Sequence, residues 1–179
     1  LIHEPTTGTL SVIGPRTKLP RRLRKLFDDR GAAGNGEPEE VIAILQDYHQ
    51  RIGSLITQHL GTIGYRAGDG LMAFFNDPVT CEVPVLEAVK LALDTRRAFE
   101  DIRLPWSKQG HTIGLGIGIA SGYATLGLIG FQGRTDYTAI GGVVNIASRL
   151  CDKALDGQVL LPQRAYIDVE SQVLANLLG

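Results

Sequence analysis

Apolar residues recur at two different periods along this chain, and the places where the period changes mark out its elements. From Pro38 to Leu60 they fall three or four apart, at Val41, Leu45, Tyr48, Ile52, Leu55 and Ile56, which predicts an amphipathic helix with one face on a core. Glu37-Pro38-Glu39-Glu40 suits its first turn, because proline's missing N–H costs nothing there and carboxylates favour the positive end of the helix dipole. A second stripe, Val85, Ala88, Val89, Ala92, Arg96 and Phe99, predicts a helix from about Pro84 to Ile102, with Arg96 at its edge laying its stem on the core and keeping its charge in water. From His111 the period drops to two. Ile113, Leu115, Ile117 and Ile119 alternate with Thr112, Gly114, Gly116 and Gly118, which predicts a strand with one packed face and one of nearly bare backbone. Glycine weakens a strand, so this spacing implies the close approach of another backbone, a helix or a ligand.

Between the two helices, Gly68-Asp69-Gly70 has the residue types of a tight turn, and the apolar run Leu71 to Phe75 behind it suits a buried strand. A hairpin with a carboxylate at its tip is expected there, with Asn76, Asp77 and Pro78 closing its second strand. Further on, Gly122 is expected to turn the chain into another strand, Tyr123 to Ile129. A glycine-rich loop then leads to Asp136-Tyr137-Thr138-Ala139-Ile140-Gly141-Gly142. A helix from Val143 to about Leu150, a strand from Gln158 to Leu161 and a last helix from Pro162 to Leu178 complete the pattern. This order predicts an α+β sandwich in which helices cover a mostly antiparallel sheet.

Leu1 to Gly36 holds neither period for long. Arg16, Lys18, Arg21, Arg22, Arg24, Lys25 and Arg30 lie among prolines and glycines, with room for a short strand near Leu10 to Ile13. Residues 1–36 therefore read as a divergent basic leader, solvated and poorly ordered, ahead of a domain over 37–179; a nucleic-acid-binding arm is the alternative.

Composition narrows the field. The 179 residues are 44% hydrophobic with a net charge of -1, which fits one globular domain and speaks against a broad nucleic-acid face. The two cysteines, Cys81 and Cys151, lack metal-ligand spacing, and no secretory signal or long apolar run is present. A reduced, cytoplasmic, soluble protein is expected, although a fragment of a membrane-anchored parent would read the same way. The dinucleotide fingerprint, the phosphate loop and the nucleophile elbow are all absent. His3, His49, His59 and His111 have no ligand spacing and read as ordinary structural or surface residues. Asn145 and Arg149 are four apart and share one helix face, which a surface polar pair would also do.

Taken together, Glu37-Pro38-Glu39-Glu40-Val41, Gly68-Asp69-Gly70-Leu71-Met72-Ala73-Phe74-Phe75, Gly116-Ile117-Gly118-Ile119-Ala120-Ser121-Gly122 and the run from Tyr137 to Leu150, with Asn145 and Arg149 in it, resemble the catalytic domain of class III nucleotidyl cyclases, the adenylate and guanylate cyclase homology domain. The resemblance runs from Glu37 to about Val169. It implies the nucleotide cyclase fold, a ferredoxin-like βαββαβ core with an extra C-terminal hairpin, helix and strand. It also implies conversion of ATP to cyclic AMP and pyrophosphate in intracellular signalling, by attack of the ribose 3′-hydroxyl on the α-phosphate with two magnesium or manganese ions per site.

Residue by residue, the resemblance makes Asp69 one of two metal-holding carboxylates, Asn145 the residue that orients the ribose, and Arg149 the cation for charge on the α-phosphate. Thr138 matches a base-recognition position, and Tyr65, with Arg66 beside it, stands where the family often has a base-reading lysine. Phe27-Asp28-Asp29-Arg30-Gly31 is similar to the family's first metal motif and makes Asp29 the other ligand, although the family's spacing from Asp69 falls on Lys25. The resemblance further implies a homodimer with sites at its interface, a regulatory domain in a longer parent chain, and closing strands beyond Gly179 with a phosphate-binding lysine. The alternatives are a guanylate cyclase, a catalytically inactive cyclase-like dimerisation or regulatory domain, and an unrelated ferredoxin-like binding module.

Overall fold

The computed structural model describes residues 6–18, 37–67, 70–108, 112–131 and 134–178, with backbone alone at 6–18, 37–38, 40–41, 65–67, 131 and 134. Strand β1 spans Thr6–Lys18, helix α1 Glu37–Gln58, β2 Thr62–Ala67, β3 Gly70–Phe75 and helix α2 Pro84–Lys108. These are followed by β4, Gly114–Phe131, β5, Arg134–Ile140, helix α3, Gly142–Lys153, the short strand β6, Val159–Leu160, and helix α4, Gln163–Ile167. The sheet is six-stranded, in the order β2-β3-β1-β4-β5, with β6 alongside β4. Among the described residues only the β4–β6 pairing is parallel. The elements from β1 to β4 follow the expected βαββαβ order, and the whole is α+β.

Helices α1 and α2 lie on one face of the sheet. Ile44, Leu45, Tyr48, Ile52 and Ile56 of α1 and Val85, Ala88, Val89, Leu91, Ala92, Phe99 and Ile102 of α2 form one core with Leu71, Ala73 and Phe75 of β3 and Leu115, Ile117 and Ile119 of β4. The predicted stripes are thus the buried faces, except that Arg96 is exposed and Val41 has no described side chain. Past the end of α1, His59 Nε2 lies 2.9 Å from Asp94 Oδ2 and ties that end to α2.

Within the 1–36 stretch, Thr6–Lys18 departs from expectation, while 1–5 and 19–36 lie outside the described residues. The strand is not a short run near Leu10 to Ile13 but all of Thr6–Lys18, and it is a central strand of the sheet. Thr6 to Lys18 pair in unbroken antiparallel register with Leu126 to Gly114, and Ser11 to Ile13 pair with Phe75 to Ala73 on the other side. Backbone pairing on both sides, with the long β4 and the short β3, supplies what the side-chain pattern lacks, since the ladder needs only N–H and C=O groups.

Two further expectations are corrected. Gly122 does not turn the chain: β4 runs unbroken from Gly114 to Phe131, and Gly122 is paired with Leu10. The last helix does not reach Leu178 but ends at Ile167. Leu174, Leu177 and Leu178 are 100%, 94% and 61% exposed, so an apolar stripe there has no core to bind and a helix no tertiary support. None of the described helices is long and apolar enough to cross a membrane.

Candidate active site

The glycine face of β4 determines where α3 sits. Val143, Ala147 and Cys151, at successive fourth positions, form the buried side of α3. Val143 and Ala147 pack with Phe74, Ala120, Ala124, Leu126 and Ala139 in a second, smaller core on the sheet face opposite α1 and α2. A Cβ placed on Gly118 would stand 2.2 Å from the Ala147 carbonyl oxygen and 2.4 Å from the Cys151 nitrogen. Helix backbone therefore rests directly on strand backbone, and the closely approaching group foreseen from the glycine spacing is α3. Cys151 Sγ donates to the Gly116 carbonyl at 3.4 Å, and after the helix Asp156 Oδ1 accepts from Leu115 N–H at 2.9 Å, so both ends of the contact are pinned.

With that side of α3 buried, Asn145 and Arg149 stand on the exposed side, one turn apart. Among the described residues neither has an intrachain hydrogen-bond or ion-pair partner. The exposed apolar side chains Tyr123, Ile140 and Ile146, at 71%, 59% and 47% exposure, belong to β4, β5 and α3. Thr138 is half-buried on β5, in register with Gly127 of β4, and a single residue, Gly141, separates β5 from α3. A Cβ on Gly141 would meet the Tyr123 carbonyl oxygen at 2.9 Å, so the strand-to-helix connection also depends on a missing side chain. Thr138, Asn145 and Arg149 thus lie on consecutive elements braced by β4.

The remaining residues of the expected site belong to β2 and to its connection with β3. Tyr65 and Arg66 lie on β2, paired with Met72 and Leu71, and their side chains lie outside the described residues. Asp69 and Asp29 themselves fall outside the described residues. Gly70, the neighbour of Asp69, begins β3 and pairs with Ala67 on one side and Arg16 on the other. Strand β1 brings Pro15, Arg16, Thr17 and Lys18 to that end of the sheet, and it contains no carboxylate. Among the described residues no group of three or more histidines, cysteines, aspartates or glutamates could hold a metal ion. A groove of about 340 Å³, lined by Leu93, Arg96, Phe99, Leu115 and Asp156 among others, lies on the α2 side of β4, and Thr138, Asn145 and Arg149 are not among its described lining residues.

The helix foreseen among the possible neighbours of the glycine face is the one present. A contact between Tyr137 and Asp77 was missed, and nothing in the sequence marks it.

Residues 28–174 match the family model described as the adenylate and guanylate cyclase catalytic domain. The chain is 38% identical over 137 residues to an adenylate cyclase of Anabaena cylindrica, a match that covers 73% of this chain and 27% of that protein. It is 30% identical over 136 residues to adenylate cyclase 1 of Rhizobium meliloti, covering 75% of this chain and 20% of the relative. Among solved structures, the adenylyl cyclase CyaB from P. aeruginosa superposes with a TM-score of 0.81 at 28% identity, over 96% of this chain and 85% of that one. The guanylyl cyclase Cya2 gives 0.78 at 25% identity, over 91% and 79%. The chain belongs to the class III nucleotidyl cyclase catalytic-domain family and has its fold. It spans only about a quarter of the length of the curated relatives it matches.

Proposed function

We propose that this domain converts ATP to cyclic AMP and pyrophosphate, at sites that two copies of the chain build together. The carrying observation is the exposed pair Asn145 and Arg149, without a partner among the described residues, on a helix packed directly against β4, with Thr138 one element earlier. A guanidinium fixed on a rigid helix suits charge that develops on a phosphate, because little reorganisation is then needed in the transition state. Arg149 takes the α-phosphate charge, Asn145 orients the ribose, and Thr138 faces the base, with Tyr65 and Arg66 as base-side neighbours. In the reaction the ribose 3′-oxygen bonds to the α-phosphorus, the bond from that phosphorus to the bridging oxygen breaks, pyrophosphate leaves, and the hydroxyl proton passes to solvent.

The geometry within one chain favours a shared site. Tyr137, next to Thr138, is bonded to Asp77, beyond the end of β3, whereas Gly70, next to Asp69, begins that strand. A six-residue strand spans about 17 Å, farther than an α-phosphate lies from its own base. Asp69 of one chain would therefore serve the nucleotide bound by Thr138, Asn145 and Arg149 of another, with the exposed Tyr123, Ile140 and Ile146 available to the contact. Asp69, with Asp29, is the proposed carboxylate ligand for magnesium or manganese, which neutralises phosphate charge when bound.

A second reading has its own observation. Strand β1 places Arg16, not a carboxylate, in register with Gly70, which favours a cyclase-like domain that dimerises and regulates without turnover.

Incubation of the purified chain with ATP or GTP and either metal, followed by separation of products, decides between them. Cyclic AMP from the wild type and none from Asp69→Ala is the expected result. No cyclic product from either nucleotide, with nucleotide binding intact, would replace the enzyme reading by the regulatory one.

A further inference from the structure

One polar contact joins the strand that carries Thr138 to the far end of the hairpin. Tyr137 on β5 donates its hydroxyl hydrogen to Asp77 Oδ1 at 2.5 Å, across 60 residues of sequence. The Tyr137 ring tilts against Phe74 with centroids 5.9 Å apart, inside the small core beneath α3. Asp77 is itself held in place: Thr62 Oγ1 donates to its backbone carbonyl at 2.7 Å, tying the start of β2 to the segment past β3. Just before it, Asn76 turns the chain at φ 81°, and its Oδ1 accepts from the Cys81 N–H at 3.1 Å. The Asp77 carboxylate is thus a fixed point against which β5 is set.

Strand β5 ends the strand order β2-β3-β1-β4-β5, so among the described residues its ladder partner lies on one side only. Side chains alternate between the faces of a strand, so holding Tyr137 on one face determines how its neighbour Thr138 is presented on the other. We infer that Tyr137 and Asp77 are positioning residues for nucleobase recognition, and that their bond sets the distance and direction of Thr138 toward the purine ring. This rests on the reading of Thr138 as the base-facing residue. It adds a specificity device outside the residues that touch the nucleotide.

Three single variants and one double variant test it. Tyr137→Phe removes the hydroxyl and keeps the ring on Phe74; Asp77→Ala removes the acceptor; Asp77→Asn returns an acceptor oxygen. Dissociation constants for ATP and GTP, with kcat and KM for both, are measured on the purified chain. Tyr137→Phe and Asp77→Ala are each expected to raise Kd and KM for ATP about five- to ten-fold with kcat little changed, and to narrow the ATP-to-GTP preference. The double variant should be no worse than either single, because both singles break the same bond, and Asp77→Asn should recover most of the binding. An unaltered melting temperature in Tyr137→Phe confirms that folding is not the cause.

Wild-type Kd, KM and nucleotide preference in Tyr137→Phe would overturn the inference. So would additive losses in the double variant, or a fall in kcat with the preference unchanged, which is what a merely structural contact would give. A wild type that binds neither nucleotide overturns the functional reading and takes this inference with it. A wild type that binds and discriminates, matched in both by Tyr137→Phe, overturns the inference alone.

Discussion

Gly118 on β4 lies directly beneath Ala147 on α3, close enough that a methyl group on the glycine would stand 2.2 Å from the Ala147 carbonyl oxygen. The oxygen belongs to backbone and a methyl group has no rotamer to change, so no side-chain rotation relieves the clash. Gly118→Ala should destabilise the domain by about 3 kcal/mol, the upper range for forced overpacking, and should displace Asn145 and Arg149 with the helix. Gly122→Ala is the control, since its Cβ would meet Val143 at an ordinary 3.5 Å. Urea unfolding should give a lower midpoint for the first variant and a midpoint near wild type for the second; equal midpoints would refute the close contact.

At the end of α1, Leu60 sits at φ 61° with its side chain 49% exposed. A branched residue in the left-handed region costs about 1–2 kcal/mol relative to glycine, and little burial is lost by removing it. Leu60→Gly should therefore stabilise the fold by roughly 0.5–1 kcal/mol after glycine's greater unfolded-state entropy is subtracted. Thermal unfolding that shows a lower melting temperature would contradict this.

The first residue of α3 offers the opposite substitution. A Cβ on Gly142 would have nothing within 4 Å, and the residue starts a helix. Gly142→Ala should raise stability by about 0.5–1 kcal/mol through reduced unfolded-state entropy and better helix propensity. Denaturant titration measures it, and a loss would mean that the position is not helical in solution.

Arg149→Ala should lower kcat far more than it raises KM, by about two orders of magnitude in kcat, because the guanidinium acts on charge that grows in the transition state. Steady-state kinetics with ATP separate the two. A pure KM effect would make Arg149 a ground-state phosphate anchor.

Mixing tests the shared site. Asp69→Ala and Arg149→Ala chains should each keep about a hundredth of wild-type activity or less alone, and equal mixing should restore roughly a quarter of it, since about half the dimers are mixed and each has one intact site. With subunit exchange confirmed, no recovery would place both residues in one site of one chain.

The chain's periodicities determined by themselves which residues face the main core. Ile52 and Ile56 of α1, Ala88 and Ala92 of α2, and Leu115, Ile117 and Ile119 of β4 are buried as their spacing requires, because burial of apolar side chains is the term that a local pattern encodes. The alternate glycines likewise announced a close neighbour, and the motif order identified the family. Tertiary structure alone decided three things. It made Thr6–Lys18 a central strand, since backbone ladder bonds carry no side-chain signature. It kept β4 extended through Gly122, because β1 pairs with it on both sides of that glycine. It also joined Tyr137 to Asp77, a contact 60 residues apart in sequence that exists only once the sheet has brought β5 to the end of β3.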